Sequence, residues 1–163
     1  MQRRKPGFHW GSVELAAAFA VAGSVLAVVA SAFVKNLHVA RYAEAVNGLR
    51  AIGEGSAAYA EAHAGAFPAS APLTPATPPH GDEADSPELW QHTTWRALGF
   101  QPVPDGEAHH FAFGYDNLGT KFLGHAHQDR NHDGVSSSFE QGGLWTGVGV
   151  VLDAHVASER ELE

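Results

Sequence analysis

Residues 15–34 read LAAAFAVAGSVLAVVASAFV, twenty positions without a charged side chain. A helix rises about 1.5 Å per residue, so this run reaches roughly 30 Å, the hydrocarbon thickness of a bilayer. Arg3, Arg4 and Lys5 stand before it. Residues 1–63 carry six basic and four acidic side chains, whereas residues 64–163 carry four basic and fourteen acidic ones. The preference of Lys and Arg for the cytoplasmic side of a span predicts an N-terminus inside and a C-terminal domain outside. Two other readings stay open: Ala30-Ser31-Ala32 imitates a secretory cut site, and a buried core helix is equally apolar. A retained span is the expectation, because a secretory signal usually has an apolar region of only about 7–15 residues. Glu14 stands at the entrance to the run, where a carboxylate either stays at the interface or needs a cationic partner.

Beyond Lys35 the helical pattern continues. Val39, Tyr42, Val46, Leu49, Gly53, Ser56, Ala60 and His63 recur every three or four residues, and Arg41, Glu44, Asn47, Arg50, Glu54 and Glu61 fill the other faces. The spacing predicts one long N-terminal helix over residues 8–63, with a transmembrane part at 15–34 and an amphipathic remainder. Gly48, Gly53 and Gly55 each weaken it by roughly 1 kcal/mol relative to alanine. Pro68, after Gly65, ends it.

The rest of the chain changes character. Eight of the nine prolines fall within residues 64–106, which predicts a turn-rich loop region carrying a helical turn near Ser86–Leu98. Residues 107–163 read as a small antiparallel β domain. HFAFGY (110–115) places Phe111, Phe113 and Tyr115 on one face, and Asp116-Asn117-Leu118-Gly119 reads as a hairpin turn. KFLGHAH (121–127) returns, and Leu144–Leu152 supplies a third strand. The expected class is therefore α+β: a long helix packed on an antiparallel sheet of three or four strands. A net charge of −8 argues against a nucleic-acid partner. The absence of cysteine excludes disulfides, thiolate metal sites and a cysteine nucleophile. No arrangement of nucleophile and base and no glycine-rich phosphate loop appears, so no enzymatic activity is expected.

Residues 129–140, DRNHDGVSSSFE, carry the most chemistry. Asp129, Asn131 and Asp133 alternate, Gly134 is sixth and Glu140 twelfth, the complete pattern of a calcium loop. Oxygen-bearing side chains must converge on one ion while the chain turns sharply, which glycine permits. Val135 would add its carbonyl, Ser137 a hydroxyl or a bound water, and Glu140 two carboxylate oxygens. The flanks are wrong for an EF-hand, since a strand leads in and Gly142-Gly143 follows. The alternative is an Asp/Asn/Gly turn held by its own hydrogen bonds. A weaker metal candidate is formed by His109-His110 and His125-x-His127, drawn from eleven histidines, with no acidic residue clearly placed beside them.

Taken together, the chain resembles a type IV pilin or pilin-like protein, in particular the calcium-loop pilins of myxobacteria and their relatives. A basic leader of residues 1–7 ends in Gly7 ahead of Phe8. Glu14-Leu15 opens a long apolar helix, and FPASAPLTP, WRALGF, an aromatic strand, GHAHQDRNHDGVSSSFE and a terminal strand follow in that family's order. The resemblance implies cleavage between Gly7 and Phe8 by a prepilin peptidase, with N-methylation of Phe8. It implies a structural role as a major or minor pilin or pseudopilin, for motility, adhesion or secretion, with a Ca²⁺-stabilised surface domain. Other pilin subunits would pack through the N-terminal helix, and Glu14 would meet a neighbour's N-terminal amine. The subunit would cross the inner membrane once before assembly, then enter an extracellular filament (fimbrium) or a periplasmic pseudopilus. The alternative is a single-pass, membrane-anchored extracytoplasmic calcium-binding domain that does not polymerise.

Overall fold

The computed structural model describes residues 42–79, 84–131 and 133–159, together with Gly11, Phe19, Ala20 and Ser24. The chain forms two compact units, Met1–Ala40 and Arg41–Glu163. In the first, Phe19, Ala20 and Ser24 are helical, and the Ser24 hydroxyl donates to the Ala20 carbonyl at 2.8 Å.

In the second unit, helix α1 covers residues 42–62. Strands β1 (Ala71–Thr74), β2 (Ala112–Asn117), β3 (Lys121–Gln128), β4 (Ser137–Trp145), β5 (Val150–Leu152) and β6 (Ala157–Glu159) build one antiparallel sheet. The order is β1-β2-β3-β4-β5, and β6 pairs with β4 beside β5. Between β1 and β2 lie a 3₁₀ turn, Pro87–Gln91, and a short helix α2, Thr93–Leu98.

Side-chain alternation makes the core. Phe111, Phe113 and Tyr115 from the β2 segment, Phe122 and Ala126 from β3 and Phe139 from β4 are buried on one face. Ala45, Leu49, Ile52 and Ala60 of α1 join the same cluster. Small residues set the approach. Gly124 of β3 leaves room for Ile52 and Leu49, whose methyl carbons would lie 3.1 and 3.4 Å from an added Cβ. Gly48 of α1 accommodates the Phe113 ring, and Gly55 lies against the Leu98 carbonyl of α2. Trp90, Trp95 and Phe100 fill the end of the core, with Trp95 donating its indole N–H to Thr74 at 3.1 Å.

These elements correct the expected architecture. The described helix begins at Tyr42, is 21 residues long and is not apolar enough to span a membrane. It is therefore not the single helix expected over 8–63. Asn47, Arg50, Glu54 and Glu61 along it would each carry a desolvation cost in lipid, whereas against the sheet one stripe is buried and these four are exposed, while Glu44 is bonded to the sheet segment. Among the described residues no helix is long and apolar enough to cross a membrane. The leader 1–7, Phe8, Glu14 and all of 15–34 except Phe19, Ala20 and Ser24 lie outside the described residues. The sheet has six strands rather than three or four. The strand expected over Leu144–Leu152 is the end of β4 and β5, joined by a turn in which the Thr146 amide donates to Gly149 and Gly147 has φ 90°.

Candidate functional site

The loop between β3 and β4 is folded by its own side chains. Asp129 Oδ2 accepts the Gly134 amide at 3.0 Å, Asn131 Oδ1 the Asp133 amide at 3.3 Å, and Asp133 Oδ1 the Val135 amide at 2.8 Å. Asn131 Nδ2 donates to Asp133 Oδ2 at 3.0 Å. Gly134 takes φ 85°, a left-handed conformation that a side chain would strain. Asp129, Asn131, Asp133 and the Val135 backbone are thus gathered around one turn.

The other two expected ligands are on β4. Ser137 is buried on the core side of the first residue pair of β4, opposite Gln128. Glu140 is three residues further on, outward-facing, and its register partner is His125. His125 and Asp129 are four positions apart, about 13 Å along a strand. The structure therefore brings together the first part of the loop and does not bring Glu140 to it. Asp129, Asn131, Asp133 and Val135 still offer the oxygen donors that suit a hard cation. Among the described residues no three His, Asp or Glu side chains lie close enough to hold a metal ion as they stand.

The outer face of the sheet gathers the histidines of β3. His125 and His127 stand side by side with ring centroids 5.4 Å apart. His127 Nδ1 is 2.9 Å from Ser138 Oγ, and His125 Nδ1 is 3.8 Å from Asp116 Oδ2. Burial holds the His127 imidazole below its ordinary pKa, neighbouring His125 acts in the same direction, and Glu140 opposes.

A second polar cluster, which the sequence reading did not foresee, ties α1 to the start of β2. Glu44 Oε1 accepts the amides of His110 and Phe111 at 2.8 and 3.1 Å, and Oε2 lies 3.2 Å from His110 Nδ1. The fully buried His109 places Nε2 2.6 Å from Asp85 Oδ2, which also accepts the Trp90 indole N–H at 3.0 Å. His109 Nδ1 makes no hydrogen bond and faces Glu44 Oε1 at 3.8 Å. The cluster joins helix, loop and sheet through groups up to 67 residues apart; only the adjacent His109-His110 pair hinted at it. Apart from His109 Nδ1, the cluster's hydrogen bonds run between its own groups and tie these elements together.

Comparison with families, characterised proteins and solved structures finds no match to this chain.

Proposed function

We propose that the chain is a non-enzymatic, membrane-anchored structural subunit of a type IV pilus or related secretion filament, whose acidic C-terminal unit forms the outer surface. The observation that carries this reading is the junction between the uncharged run and the compact unit. Val34 closes the run, and the compact unit begins at Arg41, seven positions on. A membrane-length apolar segment ahead of a folded unit would anchor the chain to the bilayer before assembly. The basic residues ahead of the run keep the short N-terminal segment in the cytoplasm. The partners are the membrane, a prepilin peptidase acting at Gly7-Phe8, and other pilin subunits engaged through the N-terminal region with Glu14 setting register.

Calcium belongs to the same reading. Asp129, Asn131, Asp133 and the Val135 carbonyl offer oxygen ligands, and water completes the shell. With Glu140 on the neighbouring strand, the affinity falls in the weak class of extracellular modules, about 10⁻⁴–10⁻³ M. Occupancy then requires the calcium concentrations found outside the cell.

Mass spectrometry of the mature N-terminus tests the proposal on protein taken from its native membrane. The expected terminus is N-methylated Phe8, together with reduced filament incorporation of Glu14→Ala. An intact Met1, or a cut after Ala32, would refute it and leave the domain as an anchored or secreted calcium-binding module.

A further inference from the structure

We propose that the outer face of the sheet binds a divalent transition ion that prefers nitrogen ligands, Cu²⁺ most tightly and Zn²⁺ next. The ligands are His125 and His127 on β3 and Glu140 on β4. This inference does not rest on the filament reading and uses a different ion from the calcium loop. Three observations carry it.

The first is the placement of two imidazoles. Residues two apart on a strand share a face, and here the rings stand 5.4 Å apart at an interplanar angle of 61°. The second is that both rings have an oxygen at Nδ1. Ser138 Oγ lies 2.9 Å from Nδ1 of His127, and Asp116 Oδ2 lies 3.8 Å from Nδ1 of His125. Metal-binding histidines commonly give one ring N–H to such an oxygen, which fixes the tautomer and leaves the other nitrogen for the ion. With Nδ1–H directed at Ser138, His127 keeps Nε2 for the ion; the His125–Asp116 separation is an ion-pair distance and not a hydrogen bond. The third is the carboxylate. The register of β3 with β4 puts Glu140 directly across from His125, where cross-strand Cβ atoms are about 4.5–5.5 Å apart.

Gly114, across from His125 on β2, has no side chain, and a Cβ there would overlap His125 Nε2. The His125 ring therefore lies over the Gly114 backbone, on the β2 side of β3, where only a residue without a side chain leaves room for it. As the side chains stand, no three donors converge. Metal–nitrogen bonds of about 2.0–2.1 Å require the two Nε2 atoms to come within roughly 3 Å of each other, so binding turns the rings toward each other and lifts His125 off Gly114. Two nitrogens and one carboxylate, with water in the remaining positions, suit Cu²⁺ and Zn²⁺ and are poor ligands for Ca²⁺ or Mg²⁺. Among the first-row ions the affinity order places Cu²⁺ above Zn²⁺.

The test uses the full chain in detergent micelles, stripped with EDTA and titrated with CuCl₂ or ZnCl₂. Calorimetry gives the affinity, and electron paramagnetic resonance of the Cu²⁺ form gives the number of nitrogen ligands. The expected result is one high-affinity Cu²⁺ per chain with coupling to two nitrogens. His125→Ala and His127→Ala should each weaken binding at least tenfold, and Glu140→Gln and Ser138→Ala by about tenfold. His63→Ala and Asp129→Ala should leave it unchanged. A second measurement needs no variant: Zn²⁺ should protect His125 and His127 of the parent chain from diethylpyrocarbonate, read by peptide mass. Unaltered affinity in His127→Ala, or no protection of the two histidines, would overturn the proposal.

Discussion

Replacing Gly55 with alanine sets helix propensity against packing. Alanine is favoured over glycine inside a helix by about 1 kcal/mol, so the sequence by itself predicts stabilisation. In the fold, however, a Cβ at position 55 would overlap the Leu98 carbonyl oxygen and lie 3.1 and 3.2 Å from the Leu98 carbonyl carbon and Cα. These are backbone atoms and cannot swing aside. Leu98 ends α2, where the Gly99 amide bonds the Arg96 carbonyl and the Phe100 amide bonds the Trp95 carbonyl at 2.9 Å. Trp95 is fully buried, so α2 as a whole would have to retreat from α1. Overpacking of this kind costs about 1–3 kcal/mol, which outweighs the propensity gain and leaves a net loss of about 1 kcal/mol. Gly53 is the internal control. A Cβ there would meet Leu152 methyl carbons at 3.4 and 3.5 Å, an ordinary contact. Gly53→Ala should therefore stabilise by about 0.5–1 kcal/mol. Thermal unfolding of residues 41–163, followed by circular dichroism, should show midpoints moving in opposite directions by roughly 3–5 °C. If both variants shift upward, propensity governs and the close approach of α1 to α2 is wrong.

Burial pushes the Tyr115 phenol up to about 12, against the opposing contact with Ser56. The folded state keeps its proton longer than the unfolded chain does. That stability is complete below pH 10 and is lost as pH rises through about 12, a loss of roughly 2–3 kcal/mol. Tyr115→Phe should flatten stability against pH between 10 and 12 in urea titrations; an unchanged slope would mean the hydroxyl is not buried. Glu44→Ala strands the His110 and Phe111 amides and should cost about 2–4 kcal/mol in denaturant unfolding, whereas Glu44→Gln keeps an acceptor and should cost less. Equal losses would show that only side-chain volume matters there. Calcium at tenfold excess over its dissociation constant should stabilise the parent by about 1.4 kcal/mol. Magnesium and the Asp129→Ala variant should show much less, and equal midpoints for all three would leave the loop as a plain turn.

The sequence made one side of this fold readable and hid the other. Phe111, Phe113 and Tyr115 alternate with small or polar residues, and that pattern alone puts them on the buried face where the structure has them. The helix stripe was readable only in part. Leu49, Gly53, Ser56 and Ala60 face inward as their spacing predicts, but His63 is exposed and Ala45 and Ile52 are buried instead. Only the Leu144-Trp145 end of strand β4 (SSFEQGGLW) was readable, because the rest of its core contacts come from Phe139 and from glycines. Gly143 has its place because the Phe122 ring and a Leu152 methyl lie against it, a constraint set by neighbours far away in sequence.

The same strand decides how Glu140 is read. By spacing, Glu140 is the twelfth residue of a calcium loop, and in an EF-hand an exiting helix would turn such a residue back toward the ion. Here the exit is an extended strand. Each residue after Ser137 carries the chain a further 3.3 Å or so away from the turn, so three residues remove Glu140 by about 10 Å. The strand also sets which face it occupies: Phe139 points into the core, so Glu140 must point out. Antiparallel pairing with β3 then puts it opposite His125, and no inspection of residues 129–140 alone reveals that neighbour. A carboxylate that reads as an oxygen ligand in one dimension thus stands beside two imidazoles in three. Glu140→Gln should accordingly weaken Cu²⁺ binding while leaving the calcium response of the loop intact, and Asp129→Ala should do the reverse. Loss of both responses in Glu140→Gln would return that residue to the loop and disprove the register drawn here.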